Sequence, residues 1–279
     1  MLCPRHCMAD RTTGKFGFCK TGHAPAIASF GPHHGEEEPI SGTFGSGTVF
    51  FSGCTMQCIF CQNSDISRGY AGYPVSVPDL AGIFIRLQEL GCHNINLVTP
   101  THQLPAIMGA LIRAIDNGLC IPLVYNTSGY EDTETLRLLD GIIDIYMPDL
   151  KFSDDKRGQI LAKTPGYPGY AKAAILEMHR QVGDLTIDGG IATRGLLIRY
   201  LILPGFSDEY EQVFSFIAEK VSKNTWVNIM DQYYPAGDIT GKCPPEYPAL
   251  CRRVSQNEVR LACDIASGYG LYRGFTGTR

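Results

Sequence analysis

The sequence predicts an α/β domain built on a parallel sheet, with an irregular extension ahead of it. Three observations carry this. From about residue 47 onward, short apolar β-branched runs alternate with stretches of helical period, the pattern of repeated strand–helix units. Polar residues gather where the apolar runs end, and the ends of parallel strands converge on one face of a sheet. Residues 1–46 are instead rich in Gly, His, Cys and Pro and show no helical period. The division expected is therefore 1–46 as an irregular Cys/His/Gly-rich extension that wraps the fold, and 47–279 as the α/β domain.

Taken in order, the strands are expected near 47–52, 94–98, 121–126, 142–147, 196–203 and 226–231, each a short run rich in Val, Ile, Leu or aromatic residues. Helices should fill the gaps. The first is expected over Pro78–Leu90, with proline near its start and Gly91 just past its end. The others are Pro105–Asn117, Thr133–Leu139, Tyr170–Val182, Asp208–Ser222 and Glu246–Ser267.

A chain of 279 residues, 44% of them hydrophobic, is ample for one domain with a full core. A net charge of −4 gives no electrostatic reason to expect nucleic acid. Eleven cysteines behind the opening MLCPRHCMAD, which has no charged–apolar–small leader, argue against a secreted disulfide framework and for a reducing, cytoplasmic setting. Apolar runs fall short of the roughly 18 residues a membrane span needs; Leu196–Leu203, for example, is interrupted by Arg199. No membrane association is expected.

The chemistry centres on Ser52–Asn63, SGCTMQCIFCQN, which places Cys54, Cys58 and Cys61 in a C-x3-C-x2-C run directly after the first strand. A structural zinc site closes with four ligands, usually two separated pairs, whereas three cysteines on one loop leave a position open. An iron–sulfur cube with one open iron fits better; zinc, or unligated core thiols, are the alternatives. With Phe60 before its last cysteine, this loop resembles the hallmark of the radical SAM superfamily. The resemblance implies a [4Fe-4S] cluster whose fourth iron takes the amino and carboxylate groups of S-adenosylmethionine. Reductive cleavage of that cofactor would then give methionine and a 5′-deoxyadenosyl radical. Six strand–helix units suit the partial (β/α)6 TIM-like barrel of that superfamily, although spacing alone equally allows an open doubly wound sheet.

The strand ends, read together, resemble the pyruvate formate-lyase activating enzymes and their relatives over roughly residues 45–235. Asn126-Thr127-Ser128-Gly129 is similar to an Asp-Thr-Asn-Gly turn of that family, and Asp149-Leu150-Lys151 to its Asp-Leu-Lys motif. Ile198-Arg199-Tyr200 with Leu203-Pro204-Gly205 is similar to its Ile-Arg-Tyr and Val-Pro-Gly segment. The resemblance implies that Asn126, Ser128, Asp149, Lys151 and Arg199 hold the cofactor. Asp149 and Lys151, two apart, also point to one side of a strand and can pair with each other and with a zwitterion. The plain readings are a strand-end ion pair and turn-forming residues.

Two positions depart from the family. Its Gly-Gly-Glu, which receives the cofactor's amino group, is replaced by Thr99-Pro100-Thr101, whose carbonyls and hydroxyls could substitute. Its histidine after the last strand is missing, and Gln232 stands nearby. Val98–His102, Asn228–Tyr233 and Gly35-Glu36-Glu37-x-Pro39 resemble an uncharacterised branch of these relatives, a likeness that implies chemistry but no substrate. The function expected is hydrogen abstraction from a protein or peptide, a glycyl-radical enzyme among the candidates, with an external one-electron reductant of flavodoxin or ferredoxin type. Modification of a small molecule or peptide is the rival among enzymes. An iron–sulfur or zinc protein that binds a partner without catalysis is the rival from another class.

Two features of the extension add to this. Cys3, Cys7 and Cys19, with Gly14 and Gly17 to turn the chain, read either as a metal-bearing knuckle with His6 or His23 as a further ligand or as ordinary thiols or a redox pair. Three cysteines are few for an independent cubane, so a structural role and one catalytic cubane per chain are expected. His33, His34 and Glu36–Glu38 read either as a solvated loop or as acids and bases that reach over the open iron.

Overall fold

The structure is a computed structural model that describes residues 2–69 and 71–275. The chain opens with strand β1 (Ala26–His33), the short helix α1 (Glu38–Ser41) and strand β2 (Ser46–Phe51). Helix α2 (Ser64–Ser67) and strand β3 (Tyr73–Pro74) follow the cysteine loop. Then come α3 (Val77–Glu89), β4 (Ile95–Val98), α4 (Leu104–Asp116), β5 (Leu123–Thr127), α5 (Thr133–Arg137) and β6 (Ile145–Pro148). The last part contains α6 (Asp155–Ala162), α7 (Tyr167–Val182), β7 (Thr186–Asp188), β8 (Ile191–Leu201), α8 (Tyr210–Phe216), β9 (Trp226–Met230) and α9 (Gln256–Gly268).

The local chemistry accounts for the helix ends. Ser76 and Asp79 form a reciprocal capping box that starts α3, and Ser255 with Glu258 does the same for α9. Leu80, Ala81, Phe84 and Leu87 form the buried face of α3, and Ile107, Ala110, Leu111 and Ala114 that of α4. Every residue of β5 and β6 is buried, as expected of parallel strands covered on both faces.

The six expected strands appear as β2, β4, β5, β6, β8 and β9, parallel neighbours in chain order. A doubly wound sheet would reverse its order at a switch point, and this one does not. It is an open, partial barrel: among the described residues β2 and β9 do not pair. The larger core lies between sheet and helices, and a smaller one fills the concave face with Val124, Ile145, Met147 and Leu197.

The extension is less irregular than its composition suggests. Residues 26–33 are β1, antiparallel to β2 from Ile27↔Phe51 to His33↔Ser46. The connection between these strands is pushed into the concave face. There Ile40 is fully buried in the smaller core, and the Asn94 side-chain amide donates to its carbonyl at 2.8 Å. Residues 1–46 thus contribute a strand and an internal plug. One disulfide, Cys243–Cys251, forms before α9, and the other nine cysteines are free. Among the described residues no helix is long and apolar enough to cross a membrane.

Candidate active site

The carboxyl ends of the parallel strands surround a cleft of about 700 Å³. Cys54, Cys58 and Cys61 line it, as do Thr99, Asn126, Ser128, Asp149, Lys151, Arg199 and Gln232. Thr101 does not line it. The chain turns after Thr99 and Pro100, and the buried Thr101 hydroxyl donates to Glu131 Oε1 at 2.5 Å.

The cysteine loop is held from several sides by groups that fix its backbone. Gly53 adopts a positive φ of 84°, and a Cβ there would stand 2.4 Å from the Cys19 carbonyl oxygen, so only glycine lets the extension pack this closely. His102 Nε2 donates to the Ser52 carbonyl at 2.7 Å; burial pushes this imidazole down to about 4 and keeps it neutral. Beyond the first cysteine, Arg5 Nε donates to the Thr55 carbonyl at 2.7 Å, and the Ile59 N–H donates to the Leu161 carbonyl at 2.8 Å. Phe60 lies edge-on to Phe152 and Tyr233, each with ring centroids 6.2 Å away.

Among the described residues, no three Cys, His, Asp or Glu side chains converge as they would on a single metal ion. Cubane ligands need not converge, since each thiolate would take its own iron, and three thiols would supply three of the four iron ligands and leave one position for the cofactor. Burial pushes the Cys54 and Cys58 thiols up to about 12, so ionising them needs a cationic partner, which a cluster supplies. The backbone N–H of Met56 already donates to Cys54 Sγ at 3.3 Å. The residues present fit the group.

The opposite wall of the cleft is an ion-pair network. Asp149 Oδ2 accepts from Lys151 Nζ, and Oδ1 accepts from Arg199 Nε at 2.9 Å. Arg199 Nη2 also donates to Asn126 Oδ1 at 2.7 Å. Burial opposes ionisation of Asp149, but the Arg199 guanidinium and the Lys151 ammonium outweigh it and hold the carboxyl below its ordinary value. The Tyr167 hydroxyl, from α7, lies 2.8 Å from the Ser128 carbonyl and accepts from the Lys151 N–H at 2.9 Å. It ties the ends of β5 and β6 together.

Two residues, one in the cleft and one behind it, were given no role by the sequence. Asn228 on β9 lines the cleft and donates to Glu37 Oε1 at 2.7 Å; the signal available was its place two residues before Met230, on the same face. Glu131 is fully buried behind Thr101 and Thr127, both of whose hydroxyls donate to it, and its Oε2 has no partner. Of the acidic and histidine run, His33, Glu36 and Glu37 line the cleft, whereas His34 and Glu38 are exposed outside it.

Cys3, Cys7 and Cys19 lie outside this cleft. The Cys7 and Cys19 sulfurs both approach Gly17, where a Cβ would meet them at 2.7 and 3.9 Å. Cys3 and Cys7 line a second cleft of about 510 Å³ together with His6 and His23. His6 Nε2 is 3.4 Å from Asp132 Oδ2.

An open parallel barrel with three cysteines after its first strand and an ion-paired wall across the strand ends defines a class: α/β enzymes that work through a metal cluster and a charged organic cofactor. The comparison with known families is more specific. The family described as the radical SAM superfamily matches residues 48–217, and the chain belongs to it. An uncharacterized protein of Methanocaldococcus jannaschii is 31% identical over 280 residues, an alignment that covers 97% of this chain and 75% of that protein. Radical SAM enzymes use a [4Fe-4S] cluster and S-adenosylmethionine.

Proposed function

We propose that this radical SAM enzyme holds its cluster through Cys54, Cys58 and Cys61, and its S-adenosylmethionine through Asn126, Ser128, Asp149, Lys151 and Arg199, with Thr99 at the edge. It abstracts hydrogen from a protein or peptide, in the manner of an enzyme that activates a glycyl-radical partner. The observation that carries this reading is the Lys151–Asp149–Arg199–Asn126 network facing three thiols across one cleft. When bound, the cluster and cofactor supply a 5′-deoxyadenosyl radical. The chain's own residues do the rest. Lys151 and Arg199 offer cations to a carboxylate, Asn126 and Ser128 offer polar groups to hydroxyls, and Tyr167 keeps two of the strand ends fixed. Phe50, Met56 and Met230 line the cleft with apolar surface that excludes water.

The open sheet favours a peptide loop as substrate. The plug behind Glu36 and Glu37, which limits the cleft to about 700 Å³, supports the second reading, a small molecule or a single side chain. An external one-electron carrier of flavodoxin or ferredoxin type completes the scheme.

Anaerobic incubation of the reduced, reconstituted protein with S-adenosylmethionine tests the class of activity: 5′-deoxyadenosine should form, and its absence would leave a non-catalytic binding protein. A glycyl-radical doublet in the electron paramagnetic resonance spectrum of an added partner enzyme would mark activation. Lys151→Ala should weaken S-adenosylmethionine binding by about 1–3 kcal/mol, because a charge-assisted hydrogen bond is lost. Unchanged affinity in calorimetry would make Lys151 a partner of Asp149 alone.

A further inference from the structure

We propose that Glu37, with Glu36 beside it, recognises a cationic nitrogen group of the substrate, a protonated amine or a guanidinium. This rests on the radical SAM reading of the same cleft and names the substrate class that reading leaves open.

The first support is position. The cysteine loop follows β2, whereas Glu37 is bonded to Asn228 on β9, and four parallel strands separate these two along the sheet. The residues proposed for the cofactor lie on or just past the carboxyl ends of β4, β5, β6 and β8, between them. The far wall is therefore left for whatever the cofactor acts upon.

The second support is charge. Asp149, Glu36 and Glu37 face Lys151 and Arg199 in the cleft, so carboxylates outnumber fixed cations; His33 stands exposed at the rim. Asp149 occupies Lys151 and the Nε edge of Arg199, and Glu36 reaches Arg199 Nη1 only at 3.5 Å. A cubane on three thiolates would be anionic, and S-adenosylmethionine bound through a neutral amino group and its carboxylate would carry no net charge, so neither would relieve this excess. The Arg199 guanidinium is shared electrostatically among Asp149, Glu37 and Glu36, so the three carboxylates divide too few cations, and a further cation relieves them.

The third support is an unused acceptor. Glu37 Oε1 takes the Asn228 amide, but Oε2 is buried without a hydrogen-bond partner among the described residues. The carboxylate is fixed by its place at the start of the plug helix, where the Glu37 carbonyl accepts from the Ile40 and Ser41 N–H groups at 2.8 and 2.9 Å. Beside it, burial pushes the Glu36 carboxyl up despite the guanidinium nearby, as in an acid short of cations.

Calorimetric titration of the anaerobically reconstituted protein, first with S-adenosylmethionine and then with N-butylguanidinium, N-butylammonium or butan-1-ol, tests the proposal. One or both cations should bind at least tenfold more tightly than the alcohol, and Glu37→Gln should remove that preference. Equal binding of all three probes, or a Glu37→Gln protein that keeps the preference, overturns it. So does a Glu37→Gln protein that loses S-adenosylmethionine in the same proportion, which would assign the acid to the cofactor. A Gly-Arg-Gly peptide that binds at least as tightly as N-butylguanidinium places the cation on a peptide, and a weaker one on a free small molecule. A wild-type chain that takes no S-adenosylmethionine fails the radical SAM reading itself, and this proposal with it.

Discussion

Replacing Cys54, Cys58 and Cys61 together by Ala is expected to abolish the iron–sulfur signal of the reconstituted protein and all cleavage of S-adenosylmethionine. In the proposed site each thiolate would anchor one iron, and among the described residues no other cysteine lines this cleft to take over. The apolar contacts of the loop survive, because Phe60 and the bond from Ile59 to Leu161 do not involve sulfur. The variant should therefore fold while losing its cluster. Iron and sulfide analysis provides the measure: about four irons per wild-type chain, and almost none in the variant. A variant that keeps full iron and activity would end the assignment of these cysteines. The same measurement judges the extension. About eight irons in the wild type, falling to about four when Cys3, Cys7 and Cys19 are replaced, would make the N-terminal knuckle a second cluster instead of a structural segment.

The second large effect concerns stability. Burial pushes the Glu131 carboxyl from its ordinary 4.5 up to about 7, against the hydroxyls of Thr101 and Thr127 that donate to it. The unfolded chain releases this proton near pH 4.5, while the folded protein keeps it to about pH 7. Between these values the folded state binds more protons, so stability is greatest below the window and falls as pH rises through it. At about 1.4 kcal/mol for each pH unit of displacement, the loss is of order 3 kcal/mol. Denaturant unfolding of the wild type at pH 5 and pH 8 should show it, and Glu131→Gln, which cannot ionise, should lack it. An equal pH dependence in the two proteins would mean that the carboxyl is ionised throughout.

The six parallel strands were legible because burial on both faces forces continuous apolar runs, and their order followed once each run was joined to a helix. The cleft was legible for a related reason: parallel strands put their carboxyl ends on one side, so Asn126, Asp149, Lys151 and Arg199 met where expected. What was not legible depends on tertiary contacts. Strand β1 contains Pro32, which reads against a strand. Its far edge is covered by β3 only at Ala26 and Ile27, so the missing N–H of Pro32 can face an unpaired side. Helix α6 contains Gly158, which weakens a helical reading. It is required there because a Cβ would meet the Cβ of Tyr167 at 2.9 Å. Glu131 carries no signal in the sequence, and Glu37 reads there either as part of a solvated loop or as an acid over the open iron. Only the packing of Thr101 and Thr127 over the one, and the burial of Ile40 behind the other, tells these cases apart.

The pairing of β1 with β2 also bears on how the protein stays dispersed. Without it, the strand that leads into the cysteine loop would end the sheet with a bare ladder of N–H and C=O groups flanked by Val49, Phe50 and Phe51. Such a margin is a template for another chain. The antiparallel strand covers it and is itself awkward to extend, since Gly31, Pro32 and His33 present a missing donor and little apolar surface. Excising the first 45 residues to obtain a minimal catalytic barrel would thus uncover a sticky flank beside the cluster loop, and the shortened protein would be expected to polymerise sheet to sheet.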